Sequence, residues 1–251
     1  MSQLSKILRR AGGGGELKQL KWSEEFLKIS TGAAVFSYEF DQNYNDSSGL
    51  DRHLIGGGSG YDFSENDPNK QGGFSIRRGT GNNLTVPSTG IVLNNNSRTL
   101  IAIVRPIESS FVSSSTICYM GGGDTGSSGA YYAFGLGFAN NTTNPRLRID
   151  YSRNVTDINI PVSYINSWLS IVVTHDGTAP MQKVYVQAQG EDEHTLLSQT
   201  SFTLNTTIYG SNSGNYLGRW ANIRYFTGDI AYIGLRTEVI PDSQIKKFKI
   251  L

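Results

Sequence analysis

Two acidic-x-acidic pairs, Glu39 with Asp41 and Glu191 with Glu193, have the spacing that puts two carboxylates on one face of a strand. A retaining glycosidase uses such a pair about 5 to 5.5 Å apart. Glu191 and Glu193 lie in "GEDEHT", which reads as a solvated turn. Glu39 and Asp41 alternate within a strand-like run, so their meaning depends on where that run lies in the fold. His53, His175 and His194 all sit beside turn residues, without His-x-x-x-His or Cys-x-x-Cys spacing for zinc, and read as surface histidines. Cys118, in "STICYMGGG", reads as a small buried hydrophobe, and a single cysteine allows no disulfide within the chain. "MGGGDTGSSG" lacks the Gly-Lys-Ser/Thr ending and following helix of a phosphate cradle, so it is a loop.

Recognition chemistry is better served. "GRWANIRYF" sets Arg219, Trp220, Asn222, Arg224 and Tyr225 in one polar loop, and "GAYYAF" adds Tyr131 and Tyr132. Aromatic faces stack on pyranose rings while planar amide and guanidinium groups bind hydroxyls. The same residue types also cap hydrophobic cores and anchor protein interfaces, and composition alone does not separate these uses.

The elements that must position these loops differ between two segments. Residues 1–30 form an N-terminal arm in which "LSKILRR" and "ELKQLKWSEEFLKI" carry apolar residues at helical spacing around the break "GGGG". Leu17 and Leu20, with Trp22 and Phe26, give it apolar stripes that could dock on a partner; the alternatives are packing on its own domain or fraying. From about Ala33 the period becomes two. In "RLRIDYS", Leu147, Ile149 and Tyr151 oppose Arg146, Arg148 and Asp150, while "TLIAIVRP", "WLSIVVTHDG" and "DIAYIGL" are apolar on both faces. With 29 Gly and turn-rich segments such as "IGGGSG" and "GSNSGN" between the runs, the pattern is an antiparallel sandwich over residues 31–251.

Within that segment "AAVFSYEFDQNYNDSSGLDRHL", "TLIAIVRPIESS", "SWLSIVVTHDGTAPMQKVYVQAQG", "YLGRW" and "YFTGDIAYIGLRTEVIPDSQIKKF" follow one another in an order that resembles laminin-G-like, concanavalin A-like domains. The resemblance spans roughly residues 33–251 and implies an all-β jelly roll of two antiparallel sheets. It puts Asp41 at the sandwich edge, so no catalysis is expected there. It also implies a structural calcium ion as the one metal to consider, at Asp41, Asp46 and Asp229, although nothing in the chain requires it. The closing strand, Ile230 to Leu235, is expected at the centre of a sheet. Gly228 would permit the turn into it, Asp242 or Ser243 would cap the helix after Pro241, and Ile240, Ile245 and Phe248 would plug one end.

The formal charge of +1, from 22 basic and 21 acidic residues, supplies no field for nucleic acid or an anionic membrane. No run of eighteen apolar residues and no signal-peptide core is present, so the Asn-x-Ser/Thr sites read as loop residues and no membrane span is expected. The expected function is a non-catalytic binding and display module. Its arm would join a larger, oligomeric assembly such as a virion or other extracellular surface, and its loops would meet a glycan. A stand-alone lectin and, after it, a polysaccharide-degrading enzyme are the alternatives.

Overall fold

The computed structural model describes residues 22–40, 42–56, 61–64, 75–78, 84–87, 96–112, 114–121, 133–139, 142–151, 154–179, 181–201, 215–218 and 224–250. An eight-stranded sheet runs in the order β13 (Thr195–Ser201), β12 (Met181–Ala188), β11 (Leu169–Asp176), β6 (Arg98–Pro106), β15 (Gly228–Arg236), β4 (Ser75–Arg78) and β3 (Tyr61–Ser64), with β1 (Ala34–Tyr38) also paired to β15. A seven-stranded sheet runs β10 (Asn154–Asn159), β9 (Arg146–Tyr151), β8 (Ala133–Ala139), β7 (Ser115–Gly121), β14 (Tyr216–Leu217), β5 (Leu84–Thr85) and β2 (Ile55–Gly56). The pairings between these strands are antiparallel, and the chain is a β-sandwich as its periodicity requires.

The period of two builds the interior. Leu100, Ala102 and Val104 of β6, Ile171 and Val173 of β11, and Val184 and Val186 of β12 meet Cys118 and Met120 of β7, Phe134, Leu136 and Phe138 of β8, and Leu147 and Ile149 of β9. Burial in this layer pushes the Cys118 thiol up to about 12, so it is a packed apolar group.

β15 is buried at every residue and lies between β6 on one edge and β1 and β4 on the other. Its central place was expected, and its partners all precede it in the chain. Gly228 begins it at φ +149, where a Cβ would stand 2.2 Å from the Arg105 carbonyl oxygen, so only glycine fits the turn.

The alternate residues of the same strands cannot face water either. Ile101, Ile103, Val172, Tyr185 and Tyr232 form a second buried cluster on the outer face of the eight-stranded sheet, and two short helices, α1 (Trp22–Leu27) and α2 (Asp242–Ile245), help cover it. Trp22 and Phe26 of α1, with Ile240, Ile245, Phe248 and Ile250, complete that layer. The Phe26 ring lies 4.3 Å from that of Phe248 and 5.2 Å from that of Tyr232.

Two expectations are corrected here. Trp22 and Phe26 do not form a partner-docking stripe, because the apolar outer face of their own sheet claims them; each such burial stabilises by roughly 1.5–3 kcal/mol. Ile240, Ile245 and Phe248 roof the sheet and do not plug an end of the sandwich, for the same reason. Leu17 and Leu20 lie outside the described residues.

Polar groups fasten this roof. Glu39 is buried, and its carboxylate accepts hydrogen bonds from the Trp22 (3.0 Å) and Ser23 (2.7 Å) amides, capping a helix start whose first N–H groups have no partner within the helix. Glu39 is thus a cap for α1. Ser30 and Thr31 donate to the Glu238 carboxylate and tie the segment after α1 to that following β15. At α2 the N-cap residue is Pro241 and no side chain caps the helix; the Asp242 carboxylate accepts instead from Tyr185 (2.6 Å) and Lys183 (2.9 Å).

The histidines are also corrected. His53 is exposed, but His175 and His194 are buried. His175 shares the inner face of β11 with Ile171 and Val173; burial, then the neighbouring Arg98 opposite it on β6, pushes its pKa down to about 3. His194 lies against Phe248 at 5.7 Å with Nε2 2.9 Å from Ser170 Oγ, and burial lowers it to about 4.

Two outcomes follow. Phe26→Ala should lower the unfolding free energy by about 3–5 kcal/mol in denaturant titration, whereas a purely partner-docking Phe26 would leave the isolated chain unchanged. A histidine whose folded pKa is depressed adds stability above about 6.5 that is lost as pH falls toward the folded value. Stability should therefore fall between pH 6.5 and 4, with His194 contributing about 3 kcal/mol of the loss, and His194→Gln should flatten that limb.

Candidate functional site

Among the described residues, no second apolar cluster lies on the outer face of the seven-stranded sheet. Because Leu147 and Ile149 point into the core, Arg146, Arg148 and Asp150 of β9 point away from the eight-stranded sheet. β10 sets Asp157 opposite Arg148 in register. Arg148 grips it with both prongs, Nε to Oδ1 at 2.8 Å and Nη2 to Oδ2 at 2.9 Å, while Nη1 donates to Ser114 Oγ at 2.9 Å. Arg146 Nη1 reaches the same carboxylate at 3.4 Å. Arg224 lies 3.4 Å from Asp150.

These contacts pull the two carboxyls apart in acidity. The Arg148 hydrogen bonds hold Asp157 below the usual carboxylate range, and Asp157 in turn raises Arg148. Burial raises Asp150, against the opposing pull of Arg224 and Arg148.

Register lines up a row of groups beside this cluster. Tyr216 of β14 faces Tyr119 of β7, which faces Gly135 of β8, which faces Asp150, and beyond it Val155. A Cβ on Gly135 would stand 2.9 Å from the Tyr119 ring, so the glycine lets the ring lie over β8. In the next row, Gly137 faces Arg148, and a Cβ there would stand 2.0 Å from the Ser115 carbonyl oxygen, where β7 carries an irregularity.

The loop carrying the expected aromatics is rooted on this sheet. Gly218 N donates to Ile117 O at 2.6 Å and Phe226 N to Gly218 O at 2.9 Å; Thr116 N donates to Arg224 O at 3.2 Å, and Thr116 bridges Tyr225. The chain therefore enters and leaves residues 219–223 beside β7. Arg224 joins the arginine and aspartate cluster, and Tyr225 is half-buried at its base. Arg219, Trp220, Asn222, Tyr131, Tyr132 and Asp41 lie outside the described residues. Arg146, Arg148, Asp150 and Asp157 were not singled out as ligand residues in the sequence, although the alternation of "RLRIDY" already turned three of them to one face.

Asp46 and Asp229, the described acidic positions implied for calcium, do not converge. Asp46 is buried, and its oxygens accept from the amides of Ser37 (2.8 Å), Ser48 (3.0 Å) and Arg52 (3.1 Å) and from Ser48 Oγ (2.6 Å), which makes it the hub of a turn. Asp229 is buried and paired with Arg105 across β6 and β15. Tyr38, which bridges Asp46, faces Ile233, four residues along β15 from Asp229, a separation of about 13 Å by strand rise. Among the described residues, no group of three or more His, Cys, Asp or Glu could hold a metal ion. Asp46 and Asp229 thus do not fit a shared cation. Nor does any helix among the described residues have the length and apolarity to cross a membrane.

No family model matches the chain, and no curated protein does. Solved structures do. Domain 4 of AbnA, a GH43 extracellular arabinanase from Geobacillus stearothermophilus, in complex with arabinotriose, is 16% identical with TM-score 0.57 over 86% of this chain and 98% of that one. An arabinofuranosidase complexed with arabinofuranosyl-alpha-1,2-xylobiose is 12% identical, TM-score 0.59, over 81% and 48%. The binding domain of botulinum neurotoxin DC, in complex with rat synaptotagmin II, is 15% identical, TM-score 0.59, over 86% and 51%. This chain spans about half the length of the latter two. At these identities the likeness shows a shared sandwich fold; the laminin-G-like family is not confirmed.

Gly137→Ala should destabilise the sandwich by about 1–3 kcal/mol, since the backbone must yield. Gly135→Ala should cost less because the Tyr119 side chain can move, and paired thermal melts of the two variants test the order.

Proposed function

We propose that this chain is a non-catalytic glycan-binding module whose ligand lies on the outer face of the seven-stranded sheet. The observation that carries the reading is the convergence of Arg146, Arg148, Asp150, Asp157 and Arg224 on the sheet where residues 219–223 are rooted. Planar guanidinium and carboxylate groups held by mutual bonds offer fixed donors and acceptors to sugar hydroxyls, and half-buried Tyr216 adds aromatic surface in the adjoining row. Trp220, with Tyr131 and Tyr132, would supply stacking faces. The sugar ligands named for AbnA domain 4 and the arabinofuranosidase support the class of ligand by analogy of fold.

Catalysis fits the cluster less well. Asp150 and Asp157 sit diagonally across β9 and β10, on one face of the sheet as a pair of catalytic carboxyls would. The base would then be Asp157, but Arg148 holds both its oxygens and lowers its proton affinity. Attachment to a larger assembly, expected of the whole arm, would not use buried Trp22 and Phe26 and would draw on other residues of the arm, Leu17 and Leu20 among them.

On a glycan array the protein should bind at least one oligosaccharide, with affinity reduced about tenfold or more by Arg148→Met or Trp220→Ala while the circular dichroism spectrum is retained. No reducing ends should be released from bound polysaccharide. Release that stops in Asp150→Asn would replace binding by hydrolysis, and no binding to any glycan would remove the reading altogether.

A further inference from the structure

We infer that this face selects sugars bearing a carboxylate, with Arg146 as the group that receives it; the inference rests on the glycan-binding reading above. Charge on the face is not balanced. Among the described residues the cluster holds three arginines, Arg146, Arg148 and Arg224, against two aspartates, Asp150 and Asp157.

The excess positive charge falls on one residue. Arg148 engages both Asp157 oxygens at 2.8 and 2.9 Å and spends its remaining nitrogen on Ser114. Arg224 is directed to Asp150. Arg146 is left with a single long contact, 3.4 Å, to an oxygen that Arg148 already occupies, and its Nε makes no hydrogen bond among the described residues. Its side chain is also the most exposed of the three, at 35% against 26% for Arg224 and 16% for Arg148.

Neither register neighbour of Arg146 carries a charge that would compete with an anion. In register it is flanked by buried Ala139 and by exposed Asn159, so a ligand approaches from the Asn159 side, where the amide can hydrogen-bond to a hydroxyl. A guanidinium fork matches a carboxylate in two parallel charge-assisted bonds. A neutral sugar would leave this charge without a partner, whereas a uronic acid residue would supply one.

Isothermal titration with oligogalacturonate, a neutral galactan oligosaccharide and a sulfated galactan oligosaccharide tests the assignment on the full chain. Oligogalacturonate should bind at least tenfold more tightly than the neutral probe and should weaken as salt is raised. Arg146→Gln should abolish that preference with the melting temperature unchanged, because the side chain is partly exposed and weakly held; Arg146→Lys should restore part of it.

Equal binding of the neutral and uronate probes, with no effect of Arg146→Gln, would overturn this inference and leave the glycan-binding reading intact. Tighter binding of the sulfated probe than of the uronate would overturn the carboxylate assignment. If neither these probes nor a broad glycan array gave binding, the underlying reading would fall with it.

Discussion

β15 has no residue in water and no free edge along most of its length, and the remainder of the eight-stranded sheet is arranged around that fact. A strand in this position must be apolar on both faces, and so must β6 beside it and β11 next in the sheet. One face is met by the seven-stranded sheet. The other is met by α1, α2 and the segments beside them, which is why Trp22 and Phe248 touch although they lie far apart in sequence. Capping of α1 by Glu39 and the ties from Ser30 and Thr31 to Glu238 hold that layer with groups that would otherwise be buried without partners.

That division leaves the two sheets with unequal duties. The eight-stranded sheet packs apolar groups on both faces, whereas the described outer face of the seven-stranded sheet carries charged groups. That outer face holds polar side chains in fixed geometry, as arginine and aspartate on β9 and β10 show. Glycine in β8 lets Tyr119 and the β7 backbone close over that strand, so the polar groups rest on a rigid floor.

Much of the sandwich was legible because burial writes itself into the sequence with period two: "RLRIDYS" announced one wet face and "DIAYIGL" announced none. The second buried layer was harder to read. The stripe containing Trp22 and Phe26 has the form of a docking helix whether its partner is another molecule or its own sheet, and only the tertiary pairing decides. His175 and His194 looked like surface residues because turn residues flank them, yet the inner face of β11 and the roof over β12 claim them. The charged cluster joins residues from three places in the chain, and register between β9 and β10 is what makes Arg148 and Asp157 partners. Spacing along one strand cannot state a relation that exists across two.

The order of synthesis gives β15 a further meaning. β1 waits through most of the chain for its pairing partner, and β6 has one edge open over the same interval, because the strand that satisfies both is made after them. A nascent polypeptide that has not yet reached Gly228 therefore carries two adhesive borders and an uncovered oily surface. Translation that stalls shortly before that point would release a sticky fragment, and the growing chain's need for a chaperone is set by one rung that arrives late.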